Sequence, residues 1–194
     1  MAHGSSFRTV TSRRAPLWRK DARPVDAVYD PPVVELRVLT EERHDVAERF
    51  WQFFLHDLSE FRDSNPDEHG AFKRRHLEPF LLRDPDRVAY LVYGPTGPVG
   101  FAFVYGLRTD VRRFDQFFIV RSQRRAGVGR VAAEATVRRH PGRWEVGFQN
   151  ENLAAARFWR RLAAEVGMNV EERLQPVPDK PHIPDDVILS FDTA

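Results

Sequence analysis

Twenty residues constrain this chain more than any others: RSQRRAGVGRVAAEATVRRH, from Arg121 to His140. A run of arginines meets Ala-Gly-Val-Gly and passes straight into an alanine-rich segment of helical character. Glycines at a helix start allow close backbone approach, and the first N–H groups of a helix have no internal partner. The stretch reads as a cradle for a phosphate, as a dinucleotide fingerprint, or as a basic helix for nucleic acid. Its surroundings weigh between the three.

Upstream, RVAYLVYG (87–94), a Pro-Thr-Gly-Pro turn and VGFAFVYGLR (99–108) form a β-hairpin, and RRFDQFFIV (112–120) is a third consecutive strand. Strands joined by hairpins are antiparallel. Gly127-Val-Gly129-Arg-Val-Ala132 matches G-x-G-x-x-A, but that fingerprint opens a doubly wound parallel domain with several strands still to come. Only about 65 residues follow Gly129, and a six-residue arginine-rich loop replaces the tight turn the fingerprint wants. The dinucleotide reading is therefore weak.

The nucleic-acid reading rests on Arg121, Arg124, Arg125, Arg130, Arg138 and Arg139. Three lysines stand at 20, 73 and 180, and the rest of the thirty basic residues are arginine, yet twenty-eight acids leave a net charge of only +2. A nucleic-acid binder carries a larger imbalance, and no stacking motif or zinc-finger spacing accompanies the arginines. A solvated basic face accounts for them better. The remaining reading is an anion cradle, in which the amides of Arg124 to Gly129 point at a pyrophosphate at the positive end of the helix dipole, with Arg124, Arg125 and Arg130 adding charge.

The rest of the chain surrounds this stretch with alternating elements. Residues 1–32 are a proline- and arginine-rich extension, and 33–194 form the domain. VVELRVL (33–39) reads as a strand, and 41–61 as an amphipathic helix with Val46, Phe50, Phe53, Phe54 and Leu58 as its apolar stripe. Residues 71–83 form a second helix. RWEVGF (143–148) is a strand, NLAAARFWRRLAAEV (152–166) a helix with Gly167 at its C-terminal cap, and NVEERL (169–174) and DVILSF (186–191) the last strands. The order is βααβββαβαββ, a mixed α/β fold with a largely antiparallel sheet. Fifteen Phe and four Trp supply apolar surface for a core.

Other chemistries find little support. Cysteine is absent, which excludes thiol nucleophiles and cysteine zinc sites. The seven histidines fit no metal-ligand spacing, so no metal is expected. No run of residues is apolar enough to span a membrane, and a cytoplasmic location without membrane contact is the expectation.

At this point the residues resemble the GNAT superfamily of N-acetyltransferases. Arg124-Arg125-Ala126-Gly127-Val128-Gly129 fits the family motif Gln/Arg-x-x-Gly-x-Gly/Ala, and Asn152-Leu-Ala-Ala155-Ala-Arg-Phe158-Trp159 fits a second pattern, Asn-x-x-Ala-x-x-(Phe/Leu)-Tyr, except at its last position. The element order is also the family's layout. The resemblance covers residues 33–192 by layout and is specific over 112–166.

The resemblance implies acetyl-CoA as acyl donor and an unidentified amine as acceptor. It implies that the amides from Arg125 to Arg130 hold the pyrophosphate, and that the edge of the third strand near Phe118, Ile119 and Val120 holds the pantetheine arm. Asn152 contacts that arm or simply caps its helix. Trp159 stands where relatives have a Tyr that protonates the leaving thiolate, and indole is no useful acid. The base is expected at Asp115 or Gln116, only one of which faces the groove if the strand alternates regularly. Asp57, Glu60 and Asp63 form an acidic helix end that either attracts a cationic amine or is merely solvated. Two further readings stay open: a catalytically silent acyl-CoA-binding domain, and a transferase using another donor such as aminoacyl-tRNA. A homodimer is among the admissible assemblies.

Overall fold

The computed structural model describes residues 32–62, 64–178 and 180–194. The expected extension, apart from Pro32, and Asp63 lie outside the described residues. Seven strands form one sheet: β1 (Glu35–Val38), β2 (Arg87–Gly94), β3 (Gly97–Tyr105), β4 (Val111–Ile119), β5 (Gly142–Gln149), β6 (Met168–Gln175) and β7 (Asp186–Thr193). Four helices accompany them: α1 (His44–Leu58), α2 (Glu78–Leu81), α3 (Val128–Arg139) and α4 (Leu153–Val166). The sheet order is β1-β2-β3-β4-β5-β7-β6. Every neighbouring pair is antiparallel except β4 and β5, which α3 links as a parallel pair.

Strand alternation divides the apolar residues between two cores. Ala102, Val104, Phe114, Trp144, Val146 and their neighbours pack under α3 and α4. Leu91, Phe101, Phe103 and Phe118 pack under α1 and α2, around the fully buried Trp51. Trp51 stacks on Phe101 and Phe103 with centroids 6.3 and 6.4 Å away, and its indole N–H donates to the Lys73 carbonyl at 3.0 Å.

Two expectations about the helices are corrected. Val46, Phe50 and Phe54 of the expected stripe of α1 pack on this second core, but Ala47 and Trp51 form its buried centre, and Phe53 is 56% exposed. The helix over 71–83 shrinks to the single turn Glu78–Leu81. Gln52 intervenes: its side chain donates to the Phe72 carbonyl and accepts from the Phe72 amide at 2.7 Å, holding the preceding segment out of the helix.

Gly167 does close α4, its amide donating to the Ala163 carbonyl, but with an extended backbone rather than a left-handed one. Its requirement for glycine is steric. A Cβ there would lie 2.6 Å from that same carbonyl oxygen and 2.8 Å from Phe191 Cβ. None of the helices in the described residues is long and apolar enough to cross a membrane.

Candidate active site

The site is built where β4 and β5 part. Their pairing runs from Val111 opposite Arg143 to Phe114 opposite Val146 and ends there. Beyond it β4 continues beside β3, and β5 beside β7. The two central strands thus enclose a wedge that opens toward the Arg121–Gly129 loop.

A β-bulge lies at the apex. Phe103 pairs with Gln116 and Val104 with Phe114, so Asp115 is the extra residue of β4. The bulge overturns the expectation that only one of Asp115 and Gln116 faces the groove. Gln116 stands opposite Phe103, on the α1/α2 face. Asp115 shares that face, where its carboxyl and the Tyr105 hydroxyl influence each other and Arg87 acts on both. Burial raises the Asp115 carboxyl above its ordinary value, against the opposing effects of His76, Arg87 and a hydrogen bond with Gln116. Burial likewise raises the Tyr105 hydroxyl, which keeps its proton.

The loop at the open end has the geometry of an anion nest. Gly127, the N-cap of α3, is left-handed at φ 82°, and Arg125 is left-handed at φ 64°. Among the described residues, no amide from Arg125 to Arg130 donates to a protein acceptor. Six consecutive donors at one helix start, two residues of which turn the backbone inward, suit phosphate oxygens. Val128 anchors the loop from below and is buried, and Ala126 packs on the same core. A methyl on Gly129 would sit 3.5 Å from Phe158 Cε2, so the helix start lies directly on the aromatic wall of the wedge.

The three arginines expected to add charge have different employments. Arg124 Nε donates to the Ile119 carbonyl at 2.7 Å and Nη2 to Asp57 at 2.5 Å, with its guanidinium 5.5 Å over the Phe118 ring. Arg121 donates to the same Asp57 at 2.6 and 3.0 Å. Arg130 pairs with Glu134 at 3.0 Å. Arg125 is exposed, and no ion pair is found for it among the described residues. Asp57 is therefore a clamp between α1 and the exit of β4. Burial works to raise its carboxyl, but hydrogen bonds from Arg121 and Arg124 outweigh this and hold it below the ordinary value.

The edge of β4 is narrower than the sequence suggests. Val120 N–H donates to the Val99 carbonyl at 2.9 Å, so Val120, and Phe118 two residues before it, direct their main-chain groups toward β3. Ile119 and Phe117 direct theirs into the wedge. Phe117 was missed in the sequence because nothing there sets the phase of the ladder.

On the far wall, the Asn152 side chain accepts from the Ala155 amide at 3.1 Å and caps α4. Trp159 is buried at the apex, its ring 4.9 Å from Phe114 and from Phe158 and 5.4 Å from Phe117. Phe117 and Phe158 stack at 5.6 Å across the wedge. Two further residues escaped the sequence reading, the exposed His76, which acts on Asp115 electrostatically, and Arg62 beyond α1. Their importance depends on partners far away in sequence. No group of His, Asp and Glu side chains fit to hold a metal ion is found among the described residues.

No protein-family model matches this sequence, and none of the curated proteins matches it. Solved structures share its architecture. One is an acetyltransferase from Thermus thermophilus, 17% identical with TM-score 0.59, over 82% of this chain and 96% of that one. Another is an aminoglycoside acetyltransferase in complex with coenzyme A, 20% identical with TM-score 0.59, over 82% and 95% of the two chains. A third is the ribosomal-protein-S18-alanine N-acetyltransferase from Escherichia coli, 11% identical with TM-score 0.55, over 84% and 95%. The chain shares the fold of these three acetyltransferases.

Proposed function

We propose that the chain is an acetyl-CoA-dependent N-acetyltransferase that acts on a primary amine of a small molecule or peptide. One observation carries this reading: six unpartnered amides, Arg125 to Arg130, stand at the mouth of a wedge that ends at a bulged, half-buried aspartate. A cradle for a pyrophosphate, an unpaired strand edge for an amide-bearing arm and a candidate base lie in line. That is the sequence of groups needed to hold an acyl-CoA with its thioester at the bulge. The three similar structures are of acetyltransferases, and one of them holds coenzyme A.

The residues divide the work as follows. Amides of the Arg125–Arg130 segment hold the pyrophosphate, with the Arg125 side chain as an added cation. Main-chain groups of Phe117 and the Ile119 amide hold the pantetheine arm as an added strand would, the Ile119 carbonyl being engaged by Arg124. Bound acetyl-CoA supplies the acyl thioester. Asp115 accepts the proton that the amine gives up as its nitrogen bonds to the acyl carbon and the carbon–sulfur bond breaks. Its raised proton affinity brings it nearer the working pH, and Gln116 is hydrogen-bonded to it. Trp159 closes the apex by packing and donates no proton. The thiolate leaves without an acid, which its ordinary pKa of roughly 8.5 permits. Asn152 orients α4 through its cap.

The test is release of free thiol from acetyl-CoA across a panel of primary amines. Amine-dependent release that Asp115→Asn reduces supports the reading. Acetyl-CoA binding with no release on any amine would mark a silent binding domain instead.

A further inference from the structure

The end of α1 crosses the wedge. Asp57 ties it to the exit of β4, as described above. Five residues on, Arg62 ties it to β5 and β7. Arg62 Nη2 donates to the Asp186 carboxylate, and with the Gln149 amide turned so that its oxygen faces the guanidinium, that oxygen accepts from Nη2 at 2.5 Å and from Nε at 3.2 Å. The Arg62 side chain is 14% exposed. Its remaining nitrogen, Nη1, is fully buried and has no hydrogen-bond partner among the described residues. A buried guanidinium nitrogen without an acceptor is costly and rare, so it marks a place where an oxygen belongs.

The surroundings say what kind of oxygen. Gln149 and Asp186 alternate on their strands with the buried Phe148 and Val187 of the α3/α4 core, so they lie on the opposite, α1/α2 face. Asp115 is on that face. Between them comes Gly147, exposed although it belongs to an inner strand, with Ile188 opposite it. A Cβ on Gly147 would lie 3.2 Å from Ile188 Cδ1, so the glycine keeps this strip shallow and open. Gly147 is level with the bulge, and Gln149 is two residues further, about 7 Å along the strand. Asp186 already neutralises Arg62, and a ligand carboxylate there would face the Asp186 carboxylate. A neutral carbonyl oxygen meets no such repulsion.

We infer that Arg62 Nη1 binds an amide or peptide carbonyl of the acceptor, about two extended residues from the amine presented to Asp115. The acceptor is thus a short peptide or an amine with a peptide-like amide. This rests on the proposed transfer reaction for the place of the amine, and direct binding tests it separately.

Calorimetry on the CoA-loaded protein compares glycylglycinamide, glycylglycine and pentylamine, for the natural chain and for Arg62→Lys. Lysine keeps a cation beside Asp186 but lacks the fork that presents Nη1. A thermal melt establishes that the variant is folded. The amide is expected to bind about tenfold more tightly than the alkylamine, the ordinary effect of one hydrogen bond from a charged donor. It should also exceed the free acid, and Arg62→Lys should erase the preference over pentylamine. Equal affinities in the natural chain, an unchanged preference in Arg62→Lys, or no binding of any of the three would overturn the inference. Tight amide binding without thiol release would sustain it while overturning the transfer reaction.

Discussion

Asp115 owes its position to a single extra residue in β4, and its chemistry to the burial that follows. Burial disfavours the carboxylate, so its folded value is raised. Its contribution to stability is then full below the ordinary value of 3.8 and is lost as pH rises through the raised one. Asp115→Asn should melt at the same temperature as the natural chain near neutral pH, or higher, while kcat falls by about 10²- to 10³-fold. The natural chain's rate should climb with pH through a limb lying above the usual carboxylate range, and the variant should lack it. A variant that loses stability and keeps its rate would contradict the assignment. Arg125 carries a different burden, a left-handed backbone at a residue with a side chain. Arg125→Gly should stabilise the fold by about 0.5–1 kcal/mol in urea denaturation, because relief of left-handed strain exceeds the added freedom of the unfolded chain. Acetyl-CoA binding should weaken at the same time through loss of the cation.

Among the elements, β3 and β4 depend on a contact too close for any side chain but hydrogen. A Cβ on Gly100 would fall 1.9 Å from the Phe118 carbonyl oxygen. Gly100→Ala must therefore push the strands apart beside the wedge, at a loss of about 2 kcal/mol or more in denaturant midpoint analysis. The clamp between α1 and β4 is electrostatic and follows pH in the other direction from Asp115. The Asp57 carboxyl is held low, so its contribution is present above the ordinary 3.8 and is lost as pH falls through its depressed value. Asp57→Ala should speed amide exchange in the last turn of α1 and over residues 121–124 at neutral pH. The natural chain should show that change only in acid. At this scale the sequence was readable wherever periodicity was strong. The strands from 87 to 120 and the helix opening at Val128 lie within two or three residues of expectation. The helix over 71–83 was not, because a side chain twenty positions away, Gln52, takes both main-chain groups of Phe72.

Over the whole molecule, the glycine loop at the start of α3 was legible in the sequence, and the groups gathered around Asp115 and Arg62 were not. The cradle is local in sequence: Gly127, Gly129 and their arginines lie within one loop, and Asn152 and Trp159 follow at fixed spacing. The phase of the β4 ladder, the bulge at Asp115 and the late exchange of β6 and β7 in the sheet arise from pairing between distant strands. Arg62 and Asp186 lie 124 residues apart and carry no local signal. Arg124, singled out for its charge, serves the frame of the molecule by joining β4 to α1.

The central claim is that the loop from Arg125 to Arg130 seats the pyrophosphate of an acyl-CoA. Calorimetric titration of the natural chain and of Gly127→Glu with acetyl-CoA tests it most directly. The natural chain should bind one equivalent. The variant, folded by its far-ultraviolet spectrum, should bind at least about 100-fold more weakly, since it sets a carboxylate and a strained left-handed residue against the phosphates. Absence of binding to the natural chain, or equal binding by both proteins, would contradict the account.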